Sequence, residues 1–205
     1  WAVVPNGIDV ARYRPRPERR DAVRTALGIP SDAFVLGVVA RHDPMKGHDV
    51  LAVALGPWLA RWPAAHVLVA GAGIDWQAPE YSALKAATPE LASRVHLLGL
   101  RRDVADLWSA CDVAGSPSHG EGFANAIAEA MACGVPVVAT AVGDSAQIVG
   151  GEGVTVPPAD PGAFAAALDR VASLTPADRQ ALGLRARQRV AEAFSLDVAA
   201  ARYLD

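Results

Sequence analysis

Phe34-Val35-Leu36-Gly37-Val38-Val39 is a β-branched run without one polar side chain, entered from Pro30-Ser31-Asp32 and left through a loop containing Pro44 and Gly47. A segment with no polar face to turn to water suits a strand buried on both sides of a parallel sheet, not a half-exposed antiparallel one. His66-Val67-Leu68-Val69-Ala70, Val95-His96-Leu97-Leu98, Asp112-Val113-Ala114 and Pro136-Val137-Val138-Ala139 repeat the pattern. Helical patterns fall between them at 48–61, 79–87, 103–110 and 123–133, then at 160–173, 176–193 and 196–204. Strand alternating with helix predicts an α/β fold, a doubly wound, mostly parallel sheet flanked by helices. In such a sheet ligands bind beyond the carboxyl ends of the strands. The loops after Val39, Ala70, Leu98, Ala114 and Ala139 are therefore where function is expected.

The chain of 205 residues is the size of one large domain, and 52% hydrophobic residues against 20% charged ones suffice for a packed core. A net charge of −3 argues against a nucleic-acid surface or a polybasic membrane patch. Cys111 and Cys133 form neither a disulfide framework nor a zinc site, so a reduced, cytoplasmic setting is expected. No apolar run approaches the roughly 20 residues that span a bilayer. The opening Trp1-Ala2-Val3-Val4-Pro5 has no start methionine and no signal-peptide pattern, and reads as a chain entered midway. Residues 1–15, with the turn-like Val4-Pro5-Asn6-Gly7-Ile8-Asp9, read as linker-like, and residues 1–205 as a single domain.

Two loops carry candidate chemistry. Ala40-Arg41-His42-Asp43-Pro44-Met45-Lys46-Gly47 opens a helix at His48, and two cations beside a helix N-terminus make an anion site. A solvated loop with incidental charges is the alternative. The second stretch, Gly115-Ser116-Pro117-Ser118-His119-Gly120-Glu121-Gly122-Phe123-Ala124-Asn125, leads into a helix entered near Gly122 and ended by Gly134. Gly120 and Gly122 are expected to let a ligand approach the backbone. Glu121 and Glu129 lie eight positions apart, about 12 Å along a helix axis. That is the spread between the two sugars of a nucleoside diphosphate sugar, whose vicinal hydroxyls a carboxylate accepts from. Helix capping is the other reading of Glu121, and an exposed face that of Glu129.

Other features are weaker. Gly71-Ala72-Gly73 is an incomplete dinucleotide fingerprint on the second strand, and no Walker-type loop or Asp-x-Asp is present. Gly99-Leu100-Arg101-Arg102 lies where its backbone could line a base pocket. His66 and His96 fall inside apolar strands and read as structural, whereas His42, His48 and His119 lie near the expected site. Trp58 and Trp62, one helical turn apart, read as packing.

Glu121-Gly122-Phe123 through Glu129-Ala130-Met131-Ala132-Cys133-Gly134-Val135-Pro136-Val137-Val138-Ala139-Thr140 resembles the glutamate-seven-residue-glutamate motif of retaining GT-B glycosyltransferases, family GT4. Arg41 and Lys46 are similar to that family's arginine/lysine pair, and Val4 to Asp9 to its interdomain linker. The resemblance spans nearly the whole chain in order. It implies the C-terminal, donor-binding Rossmann-like half of a two-domain enzyme, with the N-terminal acceptor domain absent from the chain.

The resemblance further implies that Arg41 and Lys46 neutralise a departing diphosphate, that Glu121 binds the transferred sugar and that Glu129 binds the ribose. Backbone groups of Gly122, Phe123, Ala124 and Asn125 would meet sugar or phosphate, with Leu100 and Arg101 bordering the base. It implies hexosyl transfer from a nucleoside diphosphate sugar with no metal or other cofactor. The parent enzyme would be cytoplasmic, with peripheral association at the inner membrane face, no nucleic-acid partner, and no turnover by this half alone. Ala124 stands where the family often has Gly or Pro, and Gln147 where Glu is frequent. A non-catalytic nucleotide-binding or regulatory module and a sugar-nucleotide epimerase of the same architecture are the rival readings.

Overall fold

Six strands, β1 (Phe34–Val39), β2 (Ala65–Ala70), β3 (Val95–Leu97), β4 (Val113–Ser116), β5 (Val137–Thr140) and β6 (Val154–Val156), form one sheet in the order β3-β2-β1-β4-β5-β6. Every pairing is parallel. The computed structural model describes residues 4–204. Trp1-Ala2-Val3, where the chain reads as entered midway, lie outside them with Asp205.

The chain winds outward from β1 to β3, returns to pair β4 beside β1 (Leu36 opposite Val113, Gly37 opposite Ala114), and winds the other way. Its direction reverses between β1 and β4, which leaves a crevice beyond their carboxyl ends. The loops at 40–47 and 117–124 enter that crevice.

Alternate residues of each strand feed the two faces. Leu36, Val38 and Val138 pack with α2 (His48–Arg61), α3 (Pro79–Ala87) and α7 (Pro161–Ala172). Val35, Val137 and Ala139 pack with α4 (Val104–Ala110), α5 (Asn125–Ala132) and α8 (Pro176–Phe194). Local chemistry sets the helix starts. Asp160 accepts from the Ala163 N–H ahead of α7 and Thr175 from the Asp178 N–H ahead of α8, each with a proline next.

Trp58 is buried edge-on against Phe34, and Trp62 donates to Asp169. His66 and His96 stack with Nδ1 and Nε2 3.0 Å apart, a structural pair as expected. Cys111 and Cys133 are buried free thiols.

Four elements depart from expectation. α1 (Pro17–Ala26), α6 (Ser145–Val149) and β6 were not anticipated. α5 begins at Asn125, not at 123 and not near Gly122, because Gly122 and Phe123 remain in the loop. The linker-like segment packs onto the domain: Ile8 is buried, donates to the Phe194 carbonyl at 2.7 Å and accepts from Leu196 at 3.0 Å. That corner joins α8 to α9 (Leu196–Leu204).

Candidate functional site

The loop after β1 is shaped by its own residues. Asp43 accepts from the Met45 N–H at 2.9 Å and caps the tight turn Pro44–Lys46. Gly47 follows with φ 67°, and a Cβ there would lie 2.0 Å from the Pro117 carbonyl oxygen. Only glycine permits that contact. The two loops are then joined: His119 donates its N–H to the Met45 carbonyl at 2.9 Å.

This contact brings a predicted cation and a predicted carboxylate together. Lys46 Nζ donates to both oxygens of Glu121, at 2.8 and 2.7 Å. Ser118 Oγ donates to the same carboxylate at 2.7 Å. The Glu121 side chain is 9% exposed and that of Lys46 22%. Glu121 neither caps nor belongs to α5, so its separation from Glu129 is not the helical rise of about 12 Å expected from the sequence. Gly120 also differs from expectation. A Cβ on it would lie 2.1 Å from the Met45 methyl, so its bare face receives Met45, whereas a Cβ on Gly122 would meet nothing within 4 Å.

A cavity of about 120 Å³ lies over this pair, lined by Lys46, Ser116, Ser118, Glu121, Phe123, Ala124 and Asn125. A second concavity of about 330 Å³ is lined by Arg41, Lys46, Leu100, Arg101, Asn125 and Glu129. Lys46, Asn125 and Ala126 line both, so the two are continuous. Of the ten predicted site residues, Gly122 alone is in neither wall.

The three cations of the walls, Arg41, Lys46 and Arg101, are each paired with a carboxylate. Arg41 is exposed and grips Asp43 at 2.8 and 3.0 Å. The Met45 N–H first, and then Arg41, hold the Asp43 carboxyl below its usual range. Arg101 turns its guanidinium to Asp103 at 2.6 and 2.8 Å and so borders the wall from beside its own helix start. Burial on α5 raises the pKa of Glu129, against the opposing effects of the Tyr13 hydroxyl and Arg12. Burial, with Glu129 beside it, pushes Tyr13 up to about 12.

The three histidines near the site brace the loops. His48 Nε2 lies 3.0 Å from the Arg41 carbonyl, which only accepts, so Nε2 carries the proton. Nδ1 then accepts from the Tyr81 hydroxyl at 2.7 Å. Burial depresses the pKa of His48 and keeps it neutral. His42 pairs with Glu80 at 3.0 Å and His119 with Asp49 at 2.9 Å. Ser118 is a functional neighbour that the sequence does not reveal, because a serine after proline carries no local signal of which carboxylate it meets. Among the described residues no group of three or more His, Cys, Asp or Glu is arranged to hold a metal ion, and no helix is long and apolar enough to cross a membrane.

Fold and site define a doubly wound α/β domain with a cationic cradle and two carboxylates at its topological switch point. The profile of the family described as "Glycosyl transferases group 1" matches residues 33–173, and the chain belongs to that family. It is 38% identical to the D-inositol 3-phosphate glycosyltransferase of Kineococcus radiotolerans, over 91% of this chain and 47% of that protein. To the enzyme of that name from Geodermatophilus obscurus it is 39% identical, over 94% and 44%. The chain thus spans about half the length of the curated relatives it matches.

Among solved structures, sucrose-phosphate synthase from Thermosynechococcus elongatus superposes with a TM-score of 0.82 at 31% identity, covering 98% of this chain and 50% of that one. Anabaena HepE in complex with UDP and glucose superposes at 0.86 and 26%, covering 99% and 55%. The C-terminal domain of LpcC from Francisella tularensis shares the fold at 0.80 and 22%, over 93% of this chain and all of that one.

Proposed function

We propose that this chain is the donor-binding half of a retaining glycosyltransferase, which transfers a hexosyl group from a nucleoside diphosphate sugar to an acceptor held by an N-terminal domain. The observation that carries this reading is the Lys46–Glu121 pair lying under a cavity continuous with the wall of Arg41 and Glu129. A diphosphate entering there competes with Glu121 for Lys46. Once Lys46 turns to the phosphates it stabilises the charge that develops on the leaving group, and Glu121 is freed to accept from sugar hydroxyls.

Arg41, held by its neighbour Asp43, adds a planar fork for phosphate oxygens. Glu129 accepts from the ribose hydroxyls. The backbone at Phe123, Ala124 and Asn125 faces sugar or phosphate, and Leu100 with Arg101 borders the base. In this reading Lys46 and Arg41 supply the positive charge and no resident metal takes part. This half binds donor but does not turn over without the acceptor half. The parent enzyme acts in the cytoplasm, at the inner face of the membrane.

Calorimetric titration of the chain with UDP, GDP, UDP-glucose and GDP-mannose tests the proposal. Glu121→Ala is expected to weaken the cognate sugar conjugate about tenfold, as loss of one charged hydrogen-bonding group predicts, while binding the bare nucleotide no more weakly, since the competitor for Lys46 is gone. Glu129→Ala is expected to weaken both ligands alike. A non-catalytic nucleotide-binding module would show no separate loss for the conjugate at Glu121, and that outcome would overturn the proposal.

A further inference from the structure

Glu121 accepts from two side chains, and they differ in permanence. Lys46 is part-exposed and bonds both carboxylate oxygens, whereas Ser118 is 2% exposed and bonds Oε1 only. Ser118 is itself fixed from behind. The buried Thr140, last residue of β5, donates its hydroxyl to the Ser118 carbonyl at 2.6 Å. The preceding residue, Pro117, lies against Gly47. The Ser116 hydroxyl also lies in reach of Ser118 Oγ, at a longer 3.4 Å.

A serine hydroxyl carries a single proton to donate. With that proton on Oε1, one lone pair there is occupied whatever Lys46 does. When Lys46 is drawn to a diphosphate, the carboxylate keeps one anchored oxygen and presents the other. Without the anchor, Glu121 is free to turn about its terminal torsion, which has broad and roughly two-fold minima.

We infer that Ser118 is a positioning residue for sugar recognition: its buried hydroxyl holds Glu121 Oε1 so that Oε2 meets the transferred sugar once Lys46 has moved to the diphosphate. The inference rests on the donor reading above and adds the residue that sets the direction of the carboxylate.

The test is calorimetry on the 205-residue chain, with UDP and UDP-glucose as one pair of probes and GDP and GDP-mannose as the other. A wild-type chain that binds none of the four overturns the donor reading, and this one with it. With the pair that binds, Ser118→Ala is expected to weaken the sugar conjugate roughly tenfold and the bare nucleotide less than twofold. A merely structural role would lower the melting temperature without changing that ratio.

Ser118→Thr keeps the hydroxyl and is expected to recover the ratio. Ser118→Cys, close in size but a weak donor, is expected to show the selective loss even if Ser118→Ala does not fold. In a Glu121→Ala background, Ser118→Ala is expected to cause no further loss for the conjugate. Equal losses for both ligands, an unchanged conjugate affinity, or additive effects with Glu121→Ala each overturn the inference.

Discussion

At the amino end of β4, Asp112 meets Arg24; past its carboxyl end the chain runs on to Glu121, which meets Lys46. Both are cation–carboxylate pairs flanking one strand, but their surroundings differ. Arg24 is 1% exposed, and all three of its guanidinium nitrogens donate, to the carbonyls of Ala110, Ser31 and Ala33 as well as to Asp112. Asp112 in turn accepts from the Val35 N–H at 2.8 Å and from Arg20 at 2.8 Å. Nothing is left for a ligand to displace. Among the described residues Lys46 has one partner, Glu121, and a stronger or more numerous set of phosphate oxygens can take it over. One end of the sheet is locked by its ion pair, and the other keeps an exchangeable one.

Removing the cation at each end in turn tests that contrast. Arg24→Met removes one of the two cations that bond Asp112 and leaves the carbonyls of Ala110, Ser31 and Ala33 buried without their guanidinium donor, and is expected to cost about 3–5 kcal/mol of stability by urea denaturation. Nucleotide affinity per folded molecule is expected to stay within twofold; a selective loss of affinity would erase the distinction between the two ends. Lys46→Ala should show the reverse. Diphosphate binding is expected to fall about 10- to 100-fold, as for loss of a charged hydrogen-bond donor, with nucleoside binding unchanged. Stability is expected to fall by less than in Arg24→Met, since Lys46 is the part-exposed partner and Ser118 still donates to Glu121.

Acid gives a smaller effect that sharpens the comparison at the carboxyl end. Burial depresses the pKa of His48 below its ordinary value of 6.5. Between the depressed and the ordinary value the unfolded chain binds more protons than the folded one, so stability is present above 6.5 and is lost as pH falls. His66 and His96, also depressed by burial, act in the same sense. Melting temperature is expected to decline from pH 7.5 to 5, and His48→Gln to flatten part of that slope. A slope unaltered in His48→Gln would show that the brace on the Arg41 carbonyl is not where the protonation cost falls.

Of the five strands read from sequence, β1, β2, β4 and β5 were legible because burial on both faces leaves an apolar run that no surface element imitates, and the half-buried edge strand β3 through Val95 and Leu97. β6 was not, since its three residues include the exposed Thr155. α1 was hidden for a different reason. Pro17-Glu18-Arg19-Arg20-Asp21 looks like solvated surface, and one buried arginine anchors the helix to a strand end far away in sequence. At the site, Arg41, Lys46, Glu121 and Glu129 were identifiable as charged residues in loops or on a helix start after strands. The structure corrected how Glu121 is held, because Gly122 and Phe123 stay outside α5 and the loop is tied to Met45.

The residue pattern alone determined a parallel α/β sheet and the carriers of its charge, since periodicity and side-chain chemistry are local properties that survive without coordinates. Tertiary structure decided which charges meet. The reversal of winding between β1 and β4 places loops some 75 residues apart in contact, Lys46 on Glu121. It also decided that Ser118, undistinguished in the sequence, lies buried against the same carboxylate. Such pairings depend on strand order and on a glycine-sized gap between two loops, and neither is written in any short stretch of residues.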